Sequence, residues 1–150
     1  MIKKGYTLIE LMVVLFIISI LAVIATAQYA SYVARTQAVE AMLFLERAKG
    51  VVIEYHADYG AYPNTNTLRE LMPQTSTSNL TETQYLNLMT TNQTGSNQFY
   101  EINLRFRSNN ISSKLKSKHL TMRYNYNTGS WECVSNNVEK QYLPQVCKRV

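Results

Sequence analysis

The feature that most limits the possible fold is a long apolar run near the start of the chain. Lys3 and Lys4 precede this run, and Glu10 is the one charged residue near its beginning. No charged residue occurs from Leu11 to Ala34. A helix of about 20 predominantly apolar residues is long enough to cross a ~30 Å hydrocarbon core, so this run could span a membrane. The positive-inside rule keeps the two lysines in the cytoplasm and places the rest of the chain outside.

Three interpretations of this run compete. A secretory signal peptide is the first, because Ala25-Thr26-Ala27 offers a cleavage site before Gln28. A plain membrane anchor is the second, and a short leader removed after Gly5 is the third. Glu10 favours the third, because a carboxylate at a helix centre in lipid costs roughly 2.5–3.5 kcal/mol. In a chain that begins at Tyr6, this carboxylate could pair with the new α-amino group of a neighbouring copy.

The segment Gly5-Tyr6-Thr7-Leu8-Ile9-Glu10-Leu11-Met12 resembles the processing site of type IV pilins. In that family a prepilin peptidase cuts after the glycine and methylates the new N-terminus. The resemblance implies that Gly5 is the cleavage site, Tyr6 the methylated residue, and Glu10 the glutamate that sets register between subunits. The chain differs from the usual pattern by Tyr6 in place of Phe, Ser19 in place of Gly, and Ala27 in place of Pro.

The helix that carries the apolar run is predicted to continue beyond it. Apolar residues recur at helical spacing after Arg35 and define one buried face: Ala38, Ala41, Met42, Leu45, Ala48, Val52 and Tyr55. Gly60 and Pro63 then end the pattern. The spacing predicts one helix from about Tyr6 to about His56, apolar on all sides in its first half and amphipathic in its second.

The remaining chain suits one small domain. We expect a leader at 1–5, an apolar helix half at 6–28 and a globular domain at 29–150. Within the domain we expect the helix to run to about 56, a polar connecting loop to occupy about 57–98, and a sheet with a disulfide region to occupy 99–150. Inside the loop, Leu68–Met72 is predicted to form a short turn or helix, and Thr81–Thr90 a second helix with Thr81 as its N-cap.

The period of apolar residues changes to two in the last third of the chain. Ile102, Leu104 and Phe106 alternate with polar residues, and a second alternating run lies at 120–126. This pattern predicts antiparallel strands with one face on the helix and one face in water. The two cysteines, Cys133 and Cys147, indicate one disulfide in an exported domain. The segments around them resemble the C-terminal disulfide region of type IVa pilins, so the fold class is α+β, the type IV pilin fold.

Positive charge is concentrated in the same third. The residues predicted as a DNA-binding face are Arg105, Arg107, Lys114, Lys116, Lys118, Arg123, Lys140, Lys148 and Arg149. If these side chains merge into a stripe, they suit sequence-independent phosphate contact. Some minor type IV pilins act as DNA receptors, but basic strand faces also serve solubility and protect sheet edges.

Neither a catalytic site nor a metal site is predicted. The sequence shows no nucleophile elbow, no phosphate-binding glycine loop and no metal-spaced set of His and Cys. His56 and Asp58 lie close in sequence but lack further ligands nearby. We therefore predict no enzyme activity and no cofactor.

By the resemblance, the chain is a structural subunit of a type IV pilus. Its expected partners are other pilins including itself, the prepilin peptidase, and the inner membrane before assembly. Its expected location is the inner membrane and then the extracellular filament. A DNA receptor in natural transformation and a type II secretion pseudopilin are the alternatives.

Overall fold

The computed structural model describes residues 7–72, 85–94 and 98–150. The chain divides into two compact units, Met1–Val33 and Ala34–Val150. The elements in chain order are the helices α1 (Leu8–Tyr59) and α2 (Thr65–Leu71), the strands β1 (Leu86–Thr94), β2 (Phe99–Phe106), β3 (His119–Asn125) and β4 (Ser130–Ser135), a 3₁₀ turn (Lys140–Tyr142), and the strand β5 (Cys147–Arg149).

Helix α1 confirms the prediction that one helix carries both the apolar run and the amphipathic stripe. It contains 52 residues. It ends where Gly60 takes a left-handed conformation, with φ of 67°, and donates its backbone N–H to the carbonyl of His56 at 2.9 Å. This is a common way for a helix to end, because glycine carries no Cβ that would strain that conformation.

Within the second unit, one face of α1 is buried in the domain core. The buried residues recur at spacings of three and four, as an amphipathic helix requires: Ala34, Gln37, Ala38, Ala41, Phe44, Leu45, Ala48 and Val52. Four of them are alanines, which let the helix axis approach the sheet closely. Many of the larger residues of the core come from the strands, including Tyr100, Ile102, Leu104 and Phe106.

The sheet has five strands in the order β1-β2-β3-β4-β5. The strands from β1 to β4 pair antiparallel with one another, as the sequence predicts, and β5 pairs parallel to β4. Ile102 lies opposite Met122 in the β2–β3 register, and both are buried in the core. The alternation in the sequence therefore identified the face that packs on the helix.

The predicted connecting loop at about 57–98 contains α2, where a short turn or helix was expected, but it also contains the edge strand β1, which was not expected. The helix expected at Thr81–Thr90 is wrong from Leu86 onward, because β1 begins there. Residues 81–84 lie outside the described residues. A bulge between Leu86 and Leu88 shifts the register of β1 against β2. Leu86 and Met89 are therefore both buried although they are three residues apart. That spacing imitates a helical period, which is why sequence reasoning misassigned the strand.

The predicted disulfide joins the two strands at the end of the sheet. Cys133 and Cys147 lie directly opposite each other in the β4–β5 pair, and their Cα atoms are 4.4 Å apart. The Sγ of Cys147 also lies 3.6 Å from the Sδ of Met42 on α1. The bond therefore holds the short strand β5 in the sheet and against the helix.

We expect the double variant Cys133→Ala/Cys147→Ala to lose about 3 kcal/mol of unfolding free energy, because the open chain gains the entropy of a loop of about 15 residues. Denaturant unfolding of the full chain in detergent measures this change. The wild-type chain after reduction is the matched control and should show a similar loss. An unfolding free energy equal to that of the oxidised wild type would contradict this account of the disulfide.

Candidate functional site

The start of α1 places Glu10 in a local hydrogen-bond arrangement. The Glu10 carboxylate accepts hydrogen bonds from the Thr7 backbone N–H at 2.8 Å and from the Thr7 hydroxyl at 2.9 Å. The Glu10 N–H in turn faces the Thr7 hydroxyl oxygen at 3.4 Å. This is a capping box, which sequence reasoning missed although the Thr-x-x-Glu spacing signals it. Gly5 and Tyr6, the predicted processing residues, lie outside the described residues.

The apolar half of α1 is exposed along its whole described length within the first unit. The large apolar side chains between Leu8 and Ile24 are from 47% to 77% exposed. The most apolar window of the helix has a mean hydropathy of 3.0 and none of it is buried, so by length and composition the helix can cross a membrane. Such a surface needs lipid or other apolar helices around it, because water would otherwise contact all of it.

The polar residues inside this half do not conflict with an apolar environment. Ser19 donates its hydroxyl to the carbonyl of Phe16 at 2.7 Å, and Thr26 donates to Ala22 at 2.7 Å. Hydroxyls that form hydrogen bonds within their own helix do not need water.

Helix α1 also continues without a break through Ala27, where the type IV pilin pattern usually has a proline.

On the outer face of the sheet, which points away from α1, two residues of the predicted DNA-binding set form ion pairs with an acidic side chain. Arg123 lies 2.6 Å from the carboxylate of Glu132, and its guanidinium stacks 4.5 Å from the centre of the Phe99 ring. Lys148 approaches the same carboxylate at 3.8 Å. The centre of the face is therefore an ion-paired cluster, because Glu132 lies directly opposite Arg123 in the β3–β4 register.

Two further members of the set have partners elsewhere. Lys118 lies 3.7 Å from the Glu139 carboxylate, and Arg107 donates its Nε–H to the carbonyl of Leu86 at 2.8 Å. The other five side chains are exposed and make no hydrogen bond or ion pair with the described part of the chain: Arg105, Lys114, Lys116, Lys140 and Arg149. The structure thus does not join the nine residues into one uniform stripe.

Arg105 lies beside a shallow concavity of about 210 Å³ on the outer face, which Thr90, Asn103 and His119 also line. Asn103 accepts a hydrogen bond from the Thr121 hydroxyl at 2.6 Å, and the His119 Nδ1 lies 3.0 Å from the amide nitrogen of Asn137. These polar groups are engaged within the sheet, so Arg105 contributes the one unpaired charge of the concavity among the described residues.

Around His56 and Asp58, the described part of the chain contains no cluster of three or more possible metal ligands. The His56 ring stacks on Tyr62 with ring centres 4.2 Å apart, and Tyr62 stacks on Tyr100 at 4.8 Å. Burial, with the neighbouring Tyr124, raises the pKa of Tyr62 to about 12. The Tyr62 hydroxyl therefore stays protonated at neutral pH, and the stacked rings of His56, Tyr62 and Tyr100 pack together at the end of α1.

Comparison with known proteins identifies the class. Residues 34–148 match the family model described as pilin, a bacterial filament protein, and residues 1–26 match the model for the prokaryotic N-terminal methylation motif. The chain is 37% identical over 149 residues to a fimbrial protein, EcpC, of Eikenella corrodens, which covers 98% of this chain and 92% of that protein. The chain therefore belongs to the pilin family.

Other relatives support the same assignment. A protein described as a probable minor fimbrial protein of Dichelobacter nodosus is 32% identical over 151 residues, covering 96% of this chain and 94% of that one. A type IV major pilin, PilE1, of Neisseria gonorrhoeae is 47% identical over 65 residues, covering 43% of this chain and 39% of that protein. The type IV pilin fold and its C-terminal disulfide are thus confirmed.

Proposed function

We propose that this chain is made as a prepilin, is cleaved between Gly5 and Tyr6, is methylated at Tyr6, and then assembles with other pilins into an extracellular type IV pilus. Before assembly, the apolar half of α1 holds the subunit in the inner membrane. The chain itself has a structural role, and its processing depends on a prepilin peptidase. The motif from Gly5 to Met12 and the match at residues 1–26 support this order of events.

The observation that carries the proposal is the uncovered apolar surface of α1. Every large apolar side chain from Leu8 to Ile24 is about half exposed or more, in a helix that also forms the spine of a folded domain. In the membrane, lipid covers this surface. When the subunit leaves the membrane, apolar helices of other copies replace the lipid, because exposing so much apolar area to water is strongly unfavourable.

The second half of α1 offers further surface to neighbouring subunits. Leu43 is 65% exposed, and Val39 and Ile53 are exposed on the same helix. Gly50 also lies on this exposed side, since a Cβ added there would contact nothing within 4 Å. Packing within the domain therefore does not require a glycine at this position, and a closely approaching helix from another subunit would explain it.

In the proposed filament, Glu10 sets the register between neighbouring subunits. In a bundle of apolar helices, its carboxylate needs a positive partner, and the methylated amino group of Tyr6 in a neighbouring subunit supplies one. A single buried polar residue specifies register in coiled coils in the same way. The contact to Thr7 then serves the free subunit and is exchanged for the intersubunit pair on assembly.

A DNA receptor of the minor-pilin type is the second candidate. The observation in its favour is the set of five exposed cations without partners in the described part of the chain. The pairing of Arg123 and Lys148 with Glu132 limits the continuous basic surface that duplex DNA would follow. No relative reported above is described as a secretion pseudopilin, so that alternative has no specific observation in its favour.

The test is the composition of filaments sheared from cells that express this chain with an epitope in the exposed turn at Thr128. We expect the chain to sediment with the filaments and to remain there after washing in high salt. Recovery of the chain only in the membrane fraction, beside filaments that lack it, would contradict the proposal. The ratio of this chain to the most abundant pilin in the filament would distinguish a major from a minor subunit.

A further inference from the structure

The charged residues of the domain are unevenly distributed between its two ends. At the end where the domain portion of α1 begins, the structure brings together the segments that carry six basic residues, and we call this surface the basic end: Arg35, Lys114, Lys116, Lys118, Lys140 and Arg149. Four contacts among backbone and side chains bring these distant parts of the sequence to one place.

Two of these contacts run to the start of the domain portion of α1. The backbone N–H of Ser112 donates to the buried side chain of Gln37 at 3.0 Å, which holds the loop carrying Lys114 and Lys116 against the helix. The Nε–H of Arg35 donates to the carbonyl of Gln141 at 2.9 Å, which places Lys140 beside the same turn of α1.

The other two contacts connect the sheet to this end. Ser135 donates its hydroxyl to the carbonyl of His119 at 2.8 Å, and Ser135 is the register partner of Arg149. Lys118 lies 3.7 Å from Glu139. The starts of β3 and the ends of β4 and β5 therefore meet beside the loop and the helix.

Negative charge is scarce at the basic end. Residues 34–39, 107–118 and 136–149 contain eight basic side chains, six of them in the basic end, against one acidic side chain, Glu139. The far end of the domain differs, because the last turns of α1 carry Glu54 and Asp58 beside a cavity of about 320 Å³. The domain is therefore electrically polarised along the direction of α1.

The position of Arg35 in the chain relates this end to the membrane. Arg35 is the first charged residue after the charge-free run from Leu11 to Ala34. Tyr29 and Tyr32 precede it and are 69% and 65% exposed, and tyrosines near the end of a spanning helix anchor it at the headgroup level. A run of about 24 residues exceeds the ~30 Å hydrocarbon core, so Arg35 falls among the headgroups on the outer side.

We propose that the basic end binds the headgroups of anionic phospholipids while the subunit is held in the membrane, and so holds the pilin domain against the bilayer until assembly. This inference rests on the proposed membrane-held state. Each lysine or arginine near an anionic lipid surface strengthens binding about fivefold at low salt. Four of the six, Lys114, Lys116, Lys140 and Arg149, have no partner in the described part of the chain and are free to contribute.

The observations favour lipid over nucleic acid as the partner. On the outer face, Arg123 is paired with Glu132, and Lys148 approaches the same carboxylate at 3.8 Å, so this group of three keeps one net positive charge. The unpaired lysines are instead gathered around the point where the chain leaves the spanning segment. Arg35, a member of the basic end, is the first charged residue after the charge-free run that would span the bilayer.

The test uses the full chain reconstituted into vesicles of phosphatidylcholine and into vesicles of equal parts phosphatidylcholine and phosphatidylglycerol. Hydrogen exchange is followed in 112–118 and 139–149. We expect exchange in these segments to be slowed about fivefold or more in the anionic vesicles, and the slowing to disappear at ~1 M salt, where the Debye length is ~3 Å. Flotation of the chain with both kinds of vesicle tests the membrane-held state separately.

The variant Lys114→Gln/Lys116→Gln/Lys140→Gln should lose the slowing and still float with the vesicles. The control Asn127→Asp/Thr128→Glu/Ser130→Glu changes the net charge equally, in the exposed β3–β4 turn region at the other end of the sheet, and should keep it. Equal exchange in the two kinds of vesicle would overturn the inference, as would slowing by duplex DNA in phosphatidylcholine vesicles without any slowing by anionic lipid. A chain that fails to float would overturn the membrane-held state itself.

Discussion

Cells whose copy of this chain carries Glu10→Gln are expected to lose most of the filaments that depend on it. In the proposed bundle, the substitution leaves the amino group of a neighbouring Tyr6 buried without its carboxylate. Removing one partner of a buried ion pair costs about 3–5 kcal/mol, which lowers each association step more than a hundredfold. Counting filaments by electron microscopy, with the total amount of subunit measured by immunoblot, tests this result.

The choice of glutamine separates the two roles of Glu10. Glutamine at this position can still close the capping box with Thr7, so helix α1 should begin as in the wild type. Thr7→Val is the matched control, because it removes the hydroxyl that donates to Glu10 at 2.9 Å and keeps the carboxylate. We expect nearly normal filaments from Thr7→Val. Normal filaments from Glu10→Gln would show that the charge does not set register.

The second large effect is expected from Gly5→Leu. The leader should remain attached, because the resemblance implies a peptidase that requires glycine at this position. The helix would then keep Lys3 and Lys4 at its start, and each charge buried among apolar helices costs roughly 2.5–3.5 kcal/mol on insertion scales. We expect the uncleaved chain to accumulate in the membrane fraction and to be absent from filaments.

The mass of the membrane-bound chain, determined by mass spectrometry, measures this effect. Ile2→Ala is the control, since it changes the leader without touching the cleavage residue, and its product should be processed as in the wild type. A Gly5→Leu chain that is shortened at the same bond and enters filaments would refute the assignment of Gly5.

Much of the fold could be predicted because its elements have unambiguous periods. Helix α1 repeats apolar residues at three and four positions from Ala38 to Val52, and β2 alternates strictly from Ile102 to Phe106. β1 was misassigned because its bulge brings Leu86 and Met89 to the same face, and only the pairing with β2 resolves this ambiguity. β5 is short and obtains its place from the disulfide, so its own sequence carries little signal.

The parts of the candidate site that depend on a local sequence motif could be predicted. The parts that depend on how distant strands pair could not. Glu10 stands out in the sequence because it is a charge at the start of an apolar run. The neutralisation of Arg123 depends on Glu132 lying opposite it across two strands, which the sequence does not state. The basic end was likewise hidden, because it depends on Gln37 and Arg35 holding segments that lie far away along the chain.

The most direct test of the central claim is the mass of the N-terminal peptide of the subunit recovered from sheared filaments. We expect a peptide that begins at Tyr6 and is heavier than the unmodified sequence by one CH2 unit, because a methyl group replaces a hydrogen on the amino group. A peptide that begins at Gln28 would show that the apolar run is a secretory signal. A peptide that begins at Met1 would show an uncleaved anchor, and either result would contradict the assembly proposed for this chain.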